Sequence, residues 1–172
     1  MEPAAETFLH DCWTLYFHDP DNNEWSEKSY QAIHTISTVE DWAHADKALH
    51  DLWQQGMFFL MREHILPMWE DPHNEKGGCI SFKVNKPDAS EYWFQLGAKA
   101  LGEVLAKDTK LVDSICGISM SPKRNFCILR VWLSRACAPE GYHLETPHYS
   151  QVLFKPHNEQ KDYDAKLQKV RD

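Results

Sequence analysis

The chain has 172 residues, of which 42% are apolar, and carries a formal net charge of −8 at pH 7. That length and apolar content suit one domain with a real core, so residues 1–172 are expected to form a single domain with flexible ends at 1–7 and about 157–172. The chain lacks a run of about 18 apolar residues, which argues against a membrane span. Its acidic start, "MEPAAETFLHD", does not resemble a secretory leader, so we expect an intracellular protein without membrane contact.

The basic residues are concentrated in the later part of the chain. Residues 1–61 contain two bases and eleven acids, whereas residues 62–172 contain sixteen bases and fifteen acids. Binding long nucleic acid through its phosphates normally requires a large basic excess. If the protein binds nucleic acid, it should therefore contact a short segment and recognise a base, not the phosphate backbone. A nonspecific single-strand binder conflicts with the acidic balance for the same reason.

The five cysteines are odd in number, form no CxxC pair and lie mostly in apolar stretches. Buried free thiols are therefore favoured over a disulfide framework. The residues concerned are Cys12, Cys79, Cys116, Cys127 and Cys137.

The predicted elements begin with two strands and a helix. β-Branched and aromatic residues predict strands at 12–17 and 29–37, joined by the turn-forming loop "HDPDNNEW", which ends at Trp25. Ser37 and Glu40 have the S-x-x-E spacing of a capping box. Apolar residues then recur near helical period at Val39, Trp42, Leu49, Leu52 and Trp53.

The rest of the chain adds strands and one more helix. Asp88 and Glu91 open a second predicted helix that runs through about Lys107, despite Gly97 and Gly102 inside it. Helices are too few for a crossover after every strand, so we favour an antiparallel sheet with helices on one face. The further strands are predicted at 57–62, 79–85, 114–120, 126–133 and 148–155.

Two of the seven tryptophans stand in polar loops. Trp13, Trp53 and Trp93 fall in strands or on apolar helix faces, where core packing explains them. Trp25 follows a turn, and Trp69 lies in "HILPMWEDPHNEKGG", between proline and glycine residues. Either loop indole could be an anchor folded back on the core, and that alternative stays open for each.

The two loop indoles together suggest a base-binding site. A flat heterocycle stacked between two indoles gains on the order of 1 to 3 kcal/mol per face. Cation–π attraction adds about 0.5 to 2 kcal/mol if the heterocycle is positively charged. Glu70, beside Trp69, could accept two N–H groups and so select a guanine edge over an adenine edge. The ligand deduced is a cationic purine with guanine's donor edge.

At these residues the chain resembles the eukaryotic translation initiation factor 4E family, which binds the 7-methylguanosine cap of messenger RNA. The likeness covers roughly residues 8 to 133. The matching stretches are "WTLYF" with Trp25 twelve residues after Trp13, "TVED" at 38–41, "PMWED" at 67–71, "KGG" at 76–78, "VNK" at 84–86, "YWF" with "GE" at 102–103, "CG" at 116–117, and Trp132.

The resemblance implies an α+β fold. It consists of a curved antiparallel sheet of about seven to eight strands, with two or three helices packed on the convex face and the cap slot on the concave side. Trp25 and Trp69 would stack on the base, Glu70 would accept its edge, and Trp132 would lie beside the N7 methyl group. The implied role is recruitment of mRNA for translation initiation, without a cofactor, in the cytoplasm, with the nucleus left open as a second location. A cap-binding repressor or storage paralogue is the alternative.

The triphosphate of a cap requires basic side chains beyond the base. Period two places Arg130 on the same strand face as Trp132, and the preceding turn supplies Lys123 and Arg124. The family pattern has an arginine where this chain has Cys79 and a lysine where it has Ile128. Arg124 or Arg130 could substitute, and Lys83 is a weaker option.

After Trp132 a third long helix is expected to be reduced or absent, because "SRACAPEGYHLETPH" contains two prolines and a glycine.

The resemblance also implies a partner surface on the helical side. Relatives hold a short helix there, either from a scaffold initiation factor of the 4G type or from a 4E-binding repressor. Val39, Trp42 and Phe94 are the candidate contacts, in a chain that is otherwise monomeric. The usual tryptophan is replaced by Ala43, and Trp42 lies one residue, or about 100° of helix rotation, away. Trp42 could therefore belong to the core instead.

A nucleotide-binding hydrolase is the hypothesis from another class. Ten histidines invite it, but His44 and His50 are six residues apart, not the four that align two ligands on one helical face. No clustered acidic metal ligands are found. We expect a binding protein without a catalytic or metal site.

Overall fold

The computed structural model describes residues 2–159, and its centre is one seven-stranded antiparallel sheet. The strand order is β2-β1-β3-β5-β6-β4-β7, and the sheet is curved with helices on one side, which confirms the predicted α+β class. The strands are β1 Phe8–His18, β2 Gln31–Thr38, β3 Met57–Arg62, β4 Gly78–Asn85, β5 Ile115–Pro122, β6 Phe126–Leu133 and β7 Leu153–Pro156.

Two α-helices cover one face of the sheet, α1 Val39–Leu49 and α2 Lys86–Leu101. Helix α1 begins with a capping box, in which the Asp41 N–H donates to Thr38 Oγ1 over 3.0 Å and the Thr38 N–H donates to Asp41 Oδ2 over 2.9 Å. The predicted Ser37 and Glu40 box is wrong by one residue, because Ser37 still belongs to β2 and donates to the same carboxylate.

Both helices are shorter than predicted. Helix α1 ends at Leu49, and Trp53 belongs to a separate 3₁₀ turn. Helix α2 starts at Lys86, two residues before the predicted start, with Pro87 in its first turn, where proline is tolerated. It ends at Leu101 because Gly102 caps it and Glu103 adopts a positive φ of 57°. The 3₁₀ turns are Glu27–Ser29, Trp53–Gln55, Thr109–Ser114 and Pro139–Gly141.

The strand predictions differ from the structure mainly at the ends. The strands at 57–62 and 126–133 are confirmed, and those at 79–85 and 114–120 are off by one or two residues. The first strand is longer, at 8–18. The strand predicted at 29–37 is displaced to 31–38, because 27–29 form a 3₁₀ turn. The strand predicted at 148–155 shrinks to 153–156, because Ser150 closes a turn on Pro147 O over 2.9 Å.

Hydrophobic side chains form two clusters on opposite faces of the sheet, since neighbouring residues of a strand point to opposite sides. The larger cluster lies under the helices and includes Trp13, Trp53 and Trp93, which are fully buried as predicted. The smaller cluster lies on the other face. Its buried members are Phe59, Met61, Ile65, Cys79, Cys116 and Trp132.

Among the described residues, the segment between β6 and β7 contains the 3₁₀ turn Pro139–Gly141 and no α-helix. All five cysteines are free thiols, as predicted. Within residues 2–159, no helix has both the length and the apolar character needed to cross a membrane. The last residue of the segment 1–7, which was predicted to be flexible, is hydrogen-bonded, because the Val39 N–H donates to Thr7 O. The predicted loose end falls mostly on residues 160–172, outside the described part.

Candidate functional site

A cavity of about 500 Å³ opens on the sheet face opposite the helices. It joins segments that are far apart in sequence, namely the loops before β2 and before β4 and the strands β3 to β7. The lining residues are Trp25, Tyr30, Met57, Phe59, Pro67, Met68, Trp69, Cys79, Ser81, Ser119, Ser121, Lys123, Arg130, Trp132, Lys155, Pro156 and His157. All three tryptophans of the predicted base site therefore line one cavity.

The Trp25 wall is supported by a buried histidine. The Trp25 indole is 51% exposed and stacks on His18, with ring centroids 4.2 Å apart and planes 4° apart. Both His18 ring nitrogens face backbone carbonyls, Nδ1 that of Asp19 at 2.9 Å and Nε2 that of Glu24 at 2.8 Å. His18 therefore joins the two ends of the loop that carries Trp25. One indole face is covered by His18, and the other is available to a ligand.

The Trp69 wall is a loop closed by two buried polar side chains. Asp71 accepts from the N–H groups of Leu66 at 2.9 Å and His73 at 2.8 Å. Asn74 donates from its side-chain amide to Leu66 O at 3.0 Å and to Met68 O at 2.8 Å. Burial opposes ionisation of Asp71, but the hydrogen bonds from Leu66 and His73 outweigh it and hold the pKa of Asp71 below the usual range. The loop thus holds Trp69 half-buried against the smaller hydrophobic cluster.

Trp132 forms part of the cavity floor. It is 8% exposed, and its indole N–H donates to Ser119 Oγ over 2.9 Å. Phe59 meets the ring edge to face at a centroid distance of 6.2 Å, and the His157 ring lies 5.1 Å away. These contacts fix the plane of Trp132 before a ligand binds.

Glu70 is exposed at the rim and is not among the residues that line the cavity. Its charge nevertheless acts on the site. Burial, and after it the negative charge of Glu70, raise the pKa of Tyr30 to about 12. Tyr30 lines the cavity, so the Glu70 carboxylate lies within electrostatic reach of its edge.

The charged side chains that line the cavity are all basic among the described residues, although the protein is acidic. Three cationic side chains line it, Lys123, Arg130 and Lys155, and none of the described lining residues is an acid. Arg130 and Trp132 share a face of β6, as the period-two pattern predicted. Arg130 donates from Nη1 to Ser121 Oγ over 3.2 Å. Burial lowers the pKa of Arg130, but an arginine starts so high that it stays charged near neutral pH.

Two other predicted phosphate contacts lie elsewhere. Arg124 is exposed in the β5–β6 turn and does not line the cavity, so the structure does not bring it to the site. Lys83 also lies outside the lining, with Nζ 3.9 Å from the centroid of the Phe126 ring. The pairing of β4 with β6 explains this position. Lys83 pairs with Ile128, whereas Arg130 pairs with Ser81, two residues earlier in β4.

Two ionisable groups at the cavity are neutral near pH 7. Burial, and secondarily the charge of Arg130, lower the pKa of His157 to about 4. Burial raises the pKa of the Cys79 thiol to about 12. His157 Nε2 and Cys79 Sγ are 3.9 Å apart. Neither His157 nor Cys79 therefore adds charge to the cavity beside Trp132.

Sequence reasoning missed several contributors to the cavity, above all His18, Tyr30, Lys155 and His157. Lys155 and His157 are two residues apart, a spacing that signals a shared strand face. The predicted strand stopped at 155 and the following residues were expected to be loose, so the signal was not used. His157 is buried, with 7% exposure, and its N–H donates to Gly77 O over 3.0 Å.

The candidate partner surface is only partly exposed. Val39 is 50% exposed and Phe94 is half-buried, but Trp42 is 3% exposed. The Trp42 indole donates to Phe94 O over 3.1 Å and stacks on the Phe94 ring at 6.1 Å, in space that Gly97 leaves open. Trp42 therefore belongs to the core, which confirms the alternative drawn from its helix position, and its assignment as a partner contact is wrong because its ring is packed between the helices.

Within residues 2–159, no group of three or more His, Cys, Asp or Glu side chains is placed to hold a metal ion.

Two solved structures share this architecture. Caenorhabditis elegans eIF4E-3 in complex with the 4E-binding protein Mextli and a cap analog has a TM-score of 0.76 at 22% identity, covering 92% of this chain and 96% of that chain. Schistosome eIF4E complexed with m7GpppG and 4E-BP has a TM-score of 0.76 at 22% identity, covering 91% of each chain. At this identity the likeness shows the fold.

Sequence comparison gives the family. Eukaryotic translation initiation factor NCBP of Oryza sativa is 31% identical over 108 residues, which cover 58% of this chain and 46% of the rice protein. This chain thus spans less than half the length of that relative. Initiation factor 4E of Eremothecium gossypii is 25% identical over 174 residues, covering 92% of this chain and 81% of the relative. The family model described as "Eukaryotic initiation factor 4E" matches residues 8–172, and the chain therefore belongs to the eukaryotic initiation factor 4E family.

Proposed function

We propose that this protein binds the 7-methylguanosine cap of messenger RNA in the cavity lined by its three site tryptophans. The observation that carries this proposal is the convergence of Trp25, Trp69 and Trp132, from three distant segments, on one cavity of about 500 Å³. Two of these indoles come from polar loops, Trp25 exposed and Trp69 half-buried, and both loops turn their indole to the same cavity.

The base would enter between Trp25 and Trp69 and stack on both. Each stacking face contributes on the order of 1 to 3 kcal/mol, and methylation at N7 adds cation–π attraction because it makes the base positive. Trp132 would lie beside the methyl group. Glu70 at the rim would accept the guanine N–H groups, which an adenine edge does not offer.

The phosphates would leave the stacked base toward the cationic side of the cavity. Lys123 and Arg130 line it, and Arg130 is fixed by its hydrogen bond to Ser121. A guanidinium held in place binds phosphate oxygens with little loss of side-chain freedom. Arg124, outside the lining, would contribute only long-range attraction.

The first test is a calorimetric titration with 7-methyl-GTP and with GTP. We expect binding that depends strongly on the methyl group, and loss of most affinity in Trp25→Ala and in Trp69→Ala at nearly unchanged thermal stability. Phe8→Ala serves as the control, since Phe8 is an exposed aromatic, 74% accessible, that does not line the cavity. Equal affinity for both nucleotides would reject the charge argument. Large destabilisation by either tryptophan variant would show that these indoles anchor their loops.

The hydrolase hypothesis predicts turnover, which the same reagents can detect. We expect 7-methyl-GTP incubated with stoichiometric protein and Mg²⁺ to remain intact when its products are separated by chromatography. Release of phosphate or of 7-methyl-GMP at a rate proportional to protein concentration would favour the hydrolase instead.

The helical face would hold a short helix of a scaffold initiation factor or of a 4E-binding repressor. The exposed Val39 and the half-buried Phe94 support this proposal. One observation favours a second role, that of a cap-binding competitor with weak scaffold binding: Trp42 is buried and the exposed position beside it is Ala43. A pull-down with purified scaffold and repressor peptides, comparing wild type with Val39→Ala, separates the roles. Unchanged capture in the variant would reject this surface.

A further inference from the structure

The edge strand β7 brings a lysine to the cavity from the side opposite Lys123. Lys155 aligns with Cys79 on β4, and Cys79 aligns with Trp132 on β6. Residues aligned across neighbouring strands point to the same face. Two strand spacings separate Lys155 from Trp132, or about 10 Å between their Cα atoms. Lys155 therefore stands level with the indole that closes the floor.

The three lining cations form two flanks. Arg130 lies one level along the sheet from Trp132, between the aligned Ser81 and Ser119, and Lys123 follows in the β5–β6 turn. Lys155 stands across β4 from them. A polyphosphate that passes over β4 would therefore be held from both flanks, with the Ser81 hydroxyl of β4 between them.

Lys155 is also electrostatically available. It is exposed, and among residues 2–159 no carboxylate lies within 4.0 Å of its ammonium group. Its neighbour Cys79 is a buried thiol, which is neutral near pH 7 and cannot act as its counter-ion. An ammonium group that has no carboxylate partner among residues 2–159, at a cavity with no acid among its described lining residues, attracts an anionic ligand.

We propose that Lys155 is a phosphate ligand of the cap site, binding the outer phosphates of the nucleotide from strand β7. This inference rests on the proposed function, because it assumes that the base is stacked between Trp25 and Trp69. Lys155 acts on phosphate and not on the base, because a cationic base repels an ammonium group. Its contribution should therefore grow with the number of phosphates on the ligand.

The test compares wild type with Lys155→Met, Lys155→Arg and the control Lys83→Met. Lys83 is an exposed lysine on the neighbouring strand β4, outside the cavity. Calorimetric titrations use 7-methylguanosine, 7-methyl-GMP and 7-methyl-GTP at low and at moderate salt. We expect Lys155→Met to lower affinity for 7-methyl-GTP about tenfold, to flatten its salt dependence and to leave 7-methylguanosine unchanged. Lys155→Arg should retain most affinity, and Lys83→Met should match wild type.

The outcomes separate the inference from the function on which it rests. Wild-type affinity for 7-methyl-GTP in Lys155→Met, while Trp69→Ala loses binding, would overturn the role of Lys155 and leave cap binding intact. An equal loss for 7-methylguanosine and 7-methyl-GTP would also overturn it, since it would indicate a general effect on the pocket. Similar affinity of wild type for GTP and 7-methyl-GTP, with the expected loss in Lys155→Met, would support the phosphate contact and reject methyl recognition.

Discussion

His18 and Trp25 stack with their ring planes 4° apart, so one face of an exposed indole is already covered by a fully buried imidazole. His18 ends strand β1, and its ring nitrogens face both ends of the loop that carries Trp25. The sheet therefore sets the orientation of the indole through a single side chain.

Replacement of His18 should weaken ligand binding although His18 does not itself contact the ligand. We expect His18→Ala to reduce 7-methyl-GTP affinity about tenfold, because Trp25 loses its support and must be ordered on binding. His18→Phe keeps a flat ring and should retain more affinity. Calorimetry on both variants checks this order, with thermal midpoints as the folding control. Unchanged affinity in His18→Ala would show that the Trp25 loop holds its shape unaided.

Asp71 should position Trp69 in a similar way. We expect Asp71→Asn to destabilise the fold by about 2 kcal/mol, because a buried carboxylate that accepts several N–H groups is replaced by an amide with one acceptor oxygen. Cap affinity should fall with it. Urea unfolding and nucleotide titration measure the two effects, and Glu75→Gln, at an exposed acid of the same loop, is the matched control.

His157 should give the protein a specific acid sensitivity. Its pKa of about 4 in the fold lies below the usual value near 6.5, so between these pH values the unfolded chain binds a proton that the folded chain does not. The free energy of unfolding should therefore fall as pH drops from about 6.5 to about 4, by up to about 3 kcal/mol, and this contribution should not change further below that range.

The difference between wild type and His157→Gln isolates this effect from other titrating groups. Urea unfolding at pH 7, 5.5 and 4.5 should show a flatter profile for the variant. Parallel profiles would contradict the assignment. Asp71 has a lowered pKa and so loses its own stabilising contribution only below the usual carboxylate range, in a separate window.

Gly97 should be replaceable only if Trp42 changes with it. A Cβ at position 97 would lie 2.2 Å from Trp42 Cζ2, so Gly97→Ala should destabilise the fold by about 1 to 3 kcal/mol despite the better helix propensity of alanine. The double variant with Trp42→Phe should recover part of this loss. A double-mutant cycle measured by denaturant unfolding tests the coupling, and strict additivity would count against it.

The sequence was most informative where a pattern is local. Strand β6 was predicted in full because its alternation continues from Phe126 to Leu133, and the two loop tryptophans were recognised because the residues around them cannot form regular elements. Helix periodicity indicated that Trp42 could belong to the core, but its packing against Gly97, fifty-five residues later, has no local signal. The same holds for Lys155, whose place beside Cys79 follows from the pairing of β7 with β4 and not from its own neighbours.

Strand β6 contributes to two tasks at once. Its odd-numbered residues 127, 129, 131 and 133 pack under the helices, while Arg130 and Trp132 face the cavity. An insertion or deletion of one residue within this strand would exchange the two sets, placing a guanidinium in the hydrocarbon interior and aliphatic side chains at the binding surface. Ligand preference can therefore diverge through substitutions at even positions while folding is conserved at odd ones, but the length of the strand is not free to vary.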